Sequence, residues 1–94
     1  MRDQFRRYHL VLTRNRQSFR TTVSLDKYLA DLLAVSLGET PETLSAHKAV
    51  RHWLDKSLSE WPAFDPELPV SRQASYLALQ RIARPELVTK LDDG

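Results

Sequence analysis

The side chains of this 94-residue chain with chemistry to offer are three histidines, two tryptophans, and fourteen lysines and arginines. Metal chemistry finds little to work with. His47 and His52 are five apart, roughly 140° around a helix, so they cannot share an ion, and His9 lies in a different segment. There is no cysteine to supply a thiolate ligand or a disulfide. Gly38 and Gly94 are the only glycines, which rules out a glycine-rich phosphate loop. Neither a paired acid and base nor a nucleophile motif stands out. No catalysis, no metal and no cofactor are therefore expected. Trp53 and Trp61 could stack on nucleotide bases, but both fall on the apolar stripe of a helix-like segment, where packing accounts for them.

The arginines are different, because they are unevenly placed. Residues 1–24 hold six of them (Arg2, Arg6, Arg7, Arg14, Arg16 and Arg20) against one acid, Asp3, a balance of +5. The remaining 70 residues hold eight basic and eleven acidic side chains, a balance of −3. A basic end on a mildly acidic body points to a polyanion partner at that end. The plainer reading is a solvated arm whose charge only aids solubility.

Four segments must position these residues. Residues 1–17 read as a basic arm. Residues 18–25 alternate, with Phe19, Thr21, Val23 and Leu25 on one face and Arg20, Thr22 and Ser24 on the other, the period of a half-buried strand. Asp26 is a good N-cap for a helix from Lys27 to about Leu37, with Leu29, Leu32, Leu33 and Leu37 at helical spacing and Gly38 as its stop. In ETPET, Thr40 can cap and Pro41 can take the first position of a second helix. That helix carries Ala46, Ala49, Val50, Trp53, Leu54, Leu58 and Trp61 on one stripe and ends before Pro62. Residues 62–94 begin with a connector holding Pro62, Pro66 and Pro69. A third helix follows, capped by Ser71, with Ala74, Leu77, Ala78 and Ile82 facing one way, then a short turn or helix around Leu87, Val88 and Leu91.

Apolar content of 41% supports only a thin core in a chain of this length. The run from Tyr8 to Thr13 is too short for a signal-sequence core or a membrane span, so a cytoplasmic protein with no membrane contact is expected. A lone strand cannot leave its peptide groups unpaired away from water. Two helices over residues 25–61 also fall short of what stands alone without a staple. Self-association answers both needs: two copies of residues 18–25 pair antiparallel across a two-fold axis, and the helix pairs merge into one core.

This order of strand, short helix, glycine and longer helix resembles the ribbon-helix-helix superfamily of dimeric repressors of the Arc and MetJ type. The matching stretches are FRTTVSLDKYLADLLAVSLG and TLSAHKAVRHWLDKSLSEW. The resemblance implies a mainly α fold with one short strand (β-α-α), built over residues 18–61 as a homodimer with an intermolecular antiparallel two-stranded sheet, plus a C-terminal helical extension over 62–94. It implies a dimer core of Phe19, Val23, Leu25, Leu29, Leu33, Val50, Trp53 and Leu54. It also implies a sequence-specific DNA-binding regulator, a repressor by analogy, with the ribbon in the major groove of a short inverted or direct repeat. Carried onto this chain, the base contacts are Arg20, Thr22 and Ser24. Arginine can fork onto guanine O6 and N7, and the hydroxyls can donate or accept.

The family also grips a phosphate at the N-terminus of its second helix, which corresponds here to Thr43 and Ser45, with Lys48 one turn on. The loop before it, GETPE, departs from the family pattern. It is longer and carries Glu39 and Glu42, which compete with phosphate for the positive helix end. Arg6, Arg7, Arg14 and Arg16 of the arm would follow the DNA backbone without sequence choice. A plasmid setting, in copy control, partition or conjugation, is plausible by resemblance.

Three alternatives stay open. YHLVLT at 8–13 is the other strand candidate, and RNRQ as a four-residue turn would make an intrachain hairpin. That turn lacks glycine, and only Asn15 tolerates a left-handed conformation easily. Residues 62–94 could pack back onto the core or bind a protein partner, as in antitoxins. Finally, a helical interaction protein without a DNA role could use its arginines on an acidic protein surface.

Overall fold

The computed structural model describes residues 4–83. Five elements follow in order: β1 (Phe5–Arg14), β2 (Gln17–Asp26), α1 (Lys27–Ser36), α2 (Leu44–Glu60) and α3 (Val70–Ile82). The partner of the 18–25 strand is therefore in the same chain. β1 and β2 pair antiparallel from Phe5↔Asp26 to Arg14↔Gln17, in a two-stranded sheet. The order is β-β-α-α-α, and this overturns the single-strand ribbon-helix-helix dimer with its intermolecular sheet. Most of the stretch read as a basic arm is β1. Arg2 and the last expected turn around Leu87, Val88 and Leu91 lie outside the described residues.

The physical reason lies in the turn. Arg14 and Gln17 are the closing pair, so the loop is the two residues Asn15 and Arg16, not four. Both have positive φ, 53° and 65°. That is the handedness of a type I′ hairpin turn, whose twist matches that of its strands. Asn15 occupies such a position readily, whereas Arg16 costs about 1 kcal/mol there. The hairpin forms without glycine because ten residue pairs outweigh that local strain. Arg16→Gly is accordingly expected to stabilise the protein by up to about 1 kcal/mol, read as a raised thermal midpoint.

Alternation in both strands gives the hairpin two unlike faces. Tyr8, Leu10 and Leu12 of β1 and Val23 and Leu25 of β2 are buried, whereas Arg7, His9, Val11, Arg20 and Thr22 are exposed. The buried face packs on Leu33 of α1, Val50, Leu54 and Leu58 of α2, and Ala74 and Ala78 of α3 in one core. Of the residues assigned to a dimer interface, Val23, Leu25, Leu33, Val50 and Leu54 are thus fully covered within one chain. Leu29 and Trp53 are partly buried against the same core. Phe19 stays 37% exposed and stacks on Phe64 at 6.3 Å between ring centroids. Five buried apolar residues of β1 and α3 that the dimer scheme left out (Tyr8, Leu10, Leu12, Ala74 and Ala78) complete a single-chain core, so no second copy is needed to bury it.

The hairpin's outer backbone edges are met by side chains. Val11 N–H donates to Asp55 Oδ1 and Thr13 N–H to Ser59 Oγ, both at 3.0 Å from α2. Ser24 N–H donates to Ser71 Oγ of α3 at 2.9 Å. These contacts satisfy strand donors that a second copy of the ribbon would have to reach.

Helix boundaries follow local chemistry. Asp26 caps α1, its carboxylate accepting from Leu29 N–H at 3.1 Å, and Gly38 at φ 83° lies just past the end of the helix. α2 starts later than ETPET suggested. Its N-cap is Thr43, whose Oγ1 accepts from Ala46 N–H, because Glu42 at φ 68° breaks the helical path before it. α3 begins after Pro69 without a side-chain cap, because Ser71 serves the β2 edge instead. The proline connector is held rather than extended: buried Gln73 accepts from Asp65 N–H and donates to the carbonyls of Asp65 and Leu68.

Candidate nucleic-acid interface

Between the turn and the end pair Phe5↔Asp26, which faces the same way, the outward-facing residues of the hairpin are Arg7, His9, Val11 and Thr13 on β1 and Ser18, Arg20, Thr22 and Ser24 on β2. Opposite residues of an antiparallel pair share a face, so Arg7 lies across from Ser24, His9 from Thr22, Val11 from Arg20, and Thr13 from Ser18. Not one of the eight is acidic. Two cross-strand polar contacts order the surface: His9 Nδ1 lies 3.1 Å from Thr22 Oγ1, and Thr13 Oγ1 lies 3.1 Å from Ser18 Oγ. Arg16 adds a cation at the tip, while Asp26 closes the other end.

Arg20, Thr22 and Ser24 therefore share the outer face, with Arg20 and Thr22 exposed and Ser24 half-buried. Sequence reasoning missed their neighbours His9 and Val11, and assigned Arg7 to the DNA backbone rather than to this face, because it treated β1 as an arm. The signal was present: Tyr8, Leu10 and Leu12 alternate with Arg7, His9 and Val11 as regularly as the residues of β2 do.

The same parity divides the arginines that were all assigned to DNA backbone. Arg7 and Arg16 are exposed. Arg6 and Arg14 point inward, at the two ends of the buried row. Arg6 Nε sits 3.1 Å from Asp31 Oδ1 of α1. Its Nη2 approaches Glu42 Oε1 at 3.6 Å, a Coulombic contact too long for a hydrogen bond, and this buried nitrogen has no hydrogen-bond partner among the described residues. Arg14 Nη1 donates to the carbonyls of Leu58, Ser59 and Trp61 at 2.9–3.1 Å, and its guanidinium lies 5.1 Å from the Phe64 ring centre. It caps the C-terminal end of α2, where a cation opposes the helix dipole.

The N-terminus of α2 is occupied by its own chain. Thr43 Oγ1 caps the helix and donates to Thr40 C=O, and Ser45 Oγ donates to Glu39 Oε1 at 2.5 Å. The hydroxyls assigned to a phosphate are thus engaged internally, and a carboxylate takes the place foreseen for the anion. Lys48 is exposed one turn on. Beside this end lies a cleft of about 380 Å³ lined by Arg6, Tyr8, Asp31, Glu42, Thr43 and His47. Tyr8 and His47 stack at 4.7 Å. Burial pushes the Tyr8 hydroxyl pKa up. Burial, then the charges of Arg51, Arg6 and His9, hold the His47 imidazole below the usual histidine range.

Among the described residues no group of three His, Cys, Asp or Glu could hold a metal ion, and no helix is long and apolar enough to cross a membrane. No family model, no curated protein and no solved structure matches this chain.

Proposed function

We propose that this protein binds double-stranded DNA, with the outer face of its own β1–β2 hairpin lying in the major groove, and that it reads sequence there as a regulator of transcription. One observation carries the reading: the eight outward side chains from Arg7 to Ser24 combine two arginines, a histidine and four hydroxyls with no carboxylate. The B-DNA major groove, about 12 Å wide, admits a two-stranded ribbon, whose strands lie about 4.8 Å apart. In the Arc and MetJ type of reader, each of two chains lends one strand to the ribbon. Here one chain supplies both strands, so the recognition surface is complete in a single copy.

The roles follow from chemistry. Arg20 forks onto guanine, while Thr22 and Ser24 offer hydroxyls to base edges and Thr22 also a methyl to thymine. Arg7 and Arg16 sit at opposite ends of the face and suit phosphate contacts. Selection of bound duplexes from a random pool, followed by fluorescence anisotropy at several salt concentrations, tests this. Arg20→Ala is expected to weaken binding to the selected site by about 1–3 kcal/mol and to relax its base preference. An unchanged preference in that variant refutes direct readout by Arg20. A protein that shifts no duplex even at low salt points instead to an acidic protein surface as the partner of these arginines.

A further inference from the structure

We propose that α2 forms a cationic rail beside the hairpin, on which Lys48, Arg51 and His52, together with Arg7 and His9 of β1, hold the phosphate backbone of one DNA strand. This rests on the ribbon reading above and adds where the duplex backbone lies relative to it.

The register between β1 and α2 places these residues together. Val11 N–H meets Asp55 and Thr13 N–H meets Ser59, so two strand residues advance with four helix residues. Those steps are about 6.6 Å along a strand and about 6 Å along a helix. The two elements therefore run parallel and in step. Counting back from Val11 and Asp55, His9 comes level with Arg51, and Arg7 with His47 and Lys48. The stack of Tyr8 on His47 at 4.7 Å fits that register. Lys48, Arg51, His52 and Asp55 are spaced to share one helix face, the side from which Asp55 reaches the β1 edge. Lys48, Arg51 and His52 are all exposed. After burial, the charges of Arg51, Arg6 and His9 hold the His47 imidazole below the usual histidine range, in keeping with that placement.

Of the nearby acids Glu39, Glu42 and Asp55, only Glu42 is paired with cations among the described residues, while Asp55 and Glu39 accept from neutral donors and are outnumbered by the cations of this side. Asp55 accepts the Val11 N–H, Glu39 accepts from Ser45, and Glu42 contacts Arg6 and Lys27. The opposite edge of the ribbon is different in kind: there β2 meets the hydroxyl of Ser71. On that flank Arg72 is an exposed cation beside Ser71, whereas the α2 side brings Lys48, Arg51 and His52 together with Arg7 and His9, which makes it the denser of the two for a backbone.

The test uses the full chain, the duplex selected for it, and an unrelated duplex of equal length. Lys48→Ala combined with Arg51→Ala removes two exposed cations and no core contact, and a circular dichroism melt checks that the fold is kept. The expected result is equal weakening on both duplexes, about tenfold at moderate salt, with the salt slope reduced by about 2 and base preference unchanged. Arg72→Ala, an exposed cation on α3, is the control expected to change nothing. An unaltered slope and affinity in the double variant, with Arg20→Ala still shifting base preference, overturns the rail and leaves the ribbon reading standing. Absence of duplex binding by the unsubstituted protein at low salt overturns both.

Discussion

Leu12→Asp is expected to abolish the folded state at ordinary temperature. Leu12 is 0% exposed on the inward row of β1, against the same core as Leu54 and Leu58. A carboxylate there either stays ionised without a partner or takes up a proton, and either choice costs several kcal/mol on top of the lost packing. A domain of this size has about 5–15 kcal/mol of stability in total, so the loss is of the same order. The neighbouring substitution Val11→Asp makes the experiment decisive. Val11 is 51% exposed on the outer face and lies across from Arg20, so its change is expected to cost less than about 1 kcal/mol. Circular dichroism melts of the two variants read the difference directly. Were residues 1–17 a solvated arm, both substitutions would be silent.

Arg14→Ala carries the second large effect, and it separates the structural arginines from those free to meet a ligand. One guanidinium nitrogen serves three carbonyls at the end of α2, and the group also covers the ring of Phe64. Hydrogen bonds to charged groups contribute about 1.5–3 kcal/mol each when well shielded, and Arg14 is only half-buried. A net loss of about 2–4 kcal/mol is expected, seen as a lower urea midpoint with unchanged slope. Lysine should recover only part of it, because a compact ammonium cannot reproduce the planar guanidinium over the Phe64 ring. Arg7→Ala, on the exposed face of the same strand, should leave stability within about 0.5 kcal/mol. A urea midpoint for Arg14→Ala equal to that of Arg7→Ala would show that α2 does not depend on this cap.

The two arginines show that one run of charge covers two structural roles. Six arginines in 24 residues looked like one electrostatic feature. In the structure they serve different purposes by parity: Arg6 and Arg14 bracket the buried row, while Arg7 and Arg20 lie outside it. An arginine can flank a core because its aliphatic stem packs while its head finds carboxylates or carbonyls at the rim. Composition records the charge but not the face.

Glycine is the expected residue where φ is positive, and its absence argued against a hairpin. Arg16 adopts φ 65° regardless, since the strain is local and small beside the burial of Tyr8, Leu10 and Leu12. Global packing overrode a local preference.

What the sequence by itself determined was periodicity and punctuation. Alternation set Arg20, Thr22 and Ser24 on one outward face, heptad-like spacing set the apolar stripes, and Asp26, Gly38 and Pro62 marked helix ends. These are properties of short stretches, dictated by backbone geometry and side-chain capping within a few residues. Only the tertiary structure decided which edge the strand would join, that α2 and α3 would close the hairpin's flanks through Asp55, Ser59 and Ser71, and that Lys48 and Arg51 would come level with Arg7 and His9. A strand's pairing groups are the same in every residue, so its sequence states which side chains face together and leaves the choice of partner to whichever arrangement buries the whole core.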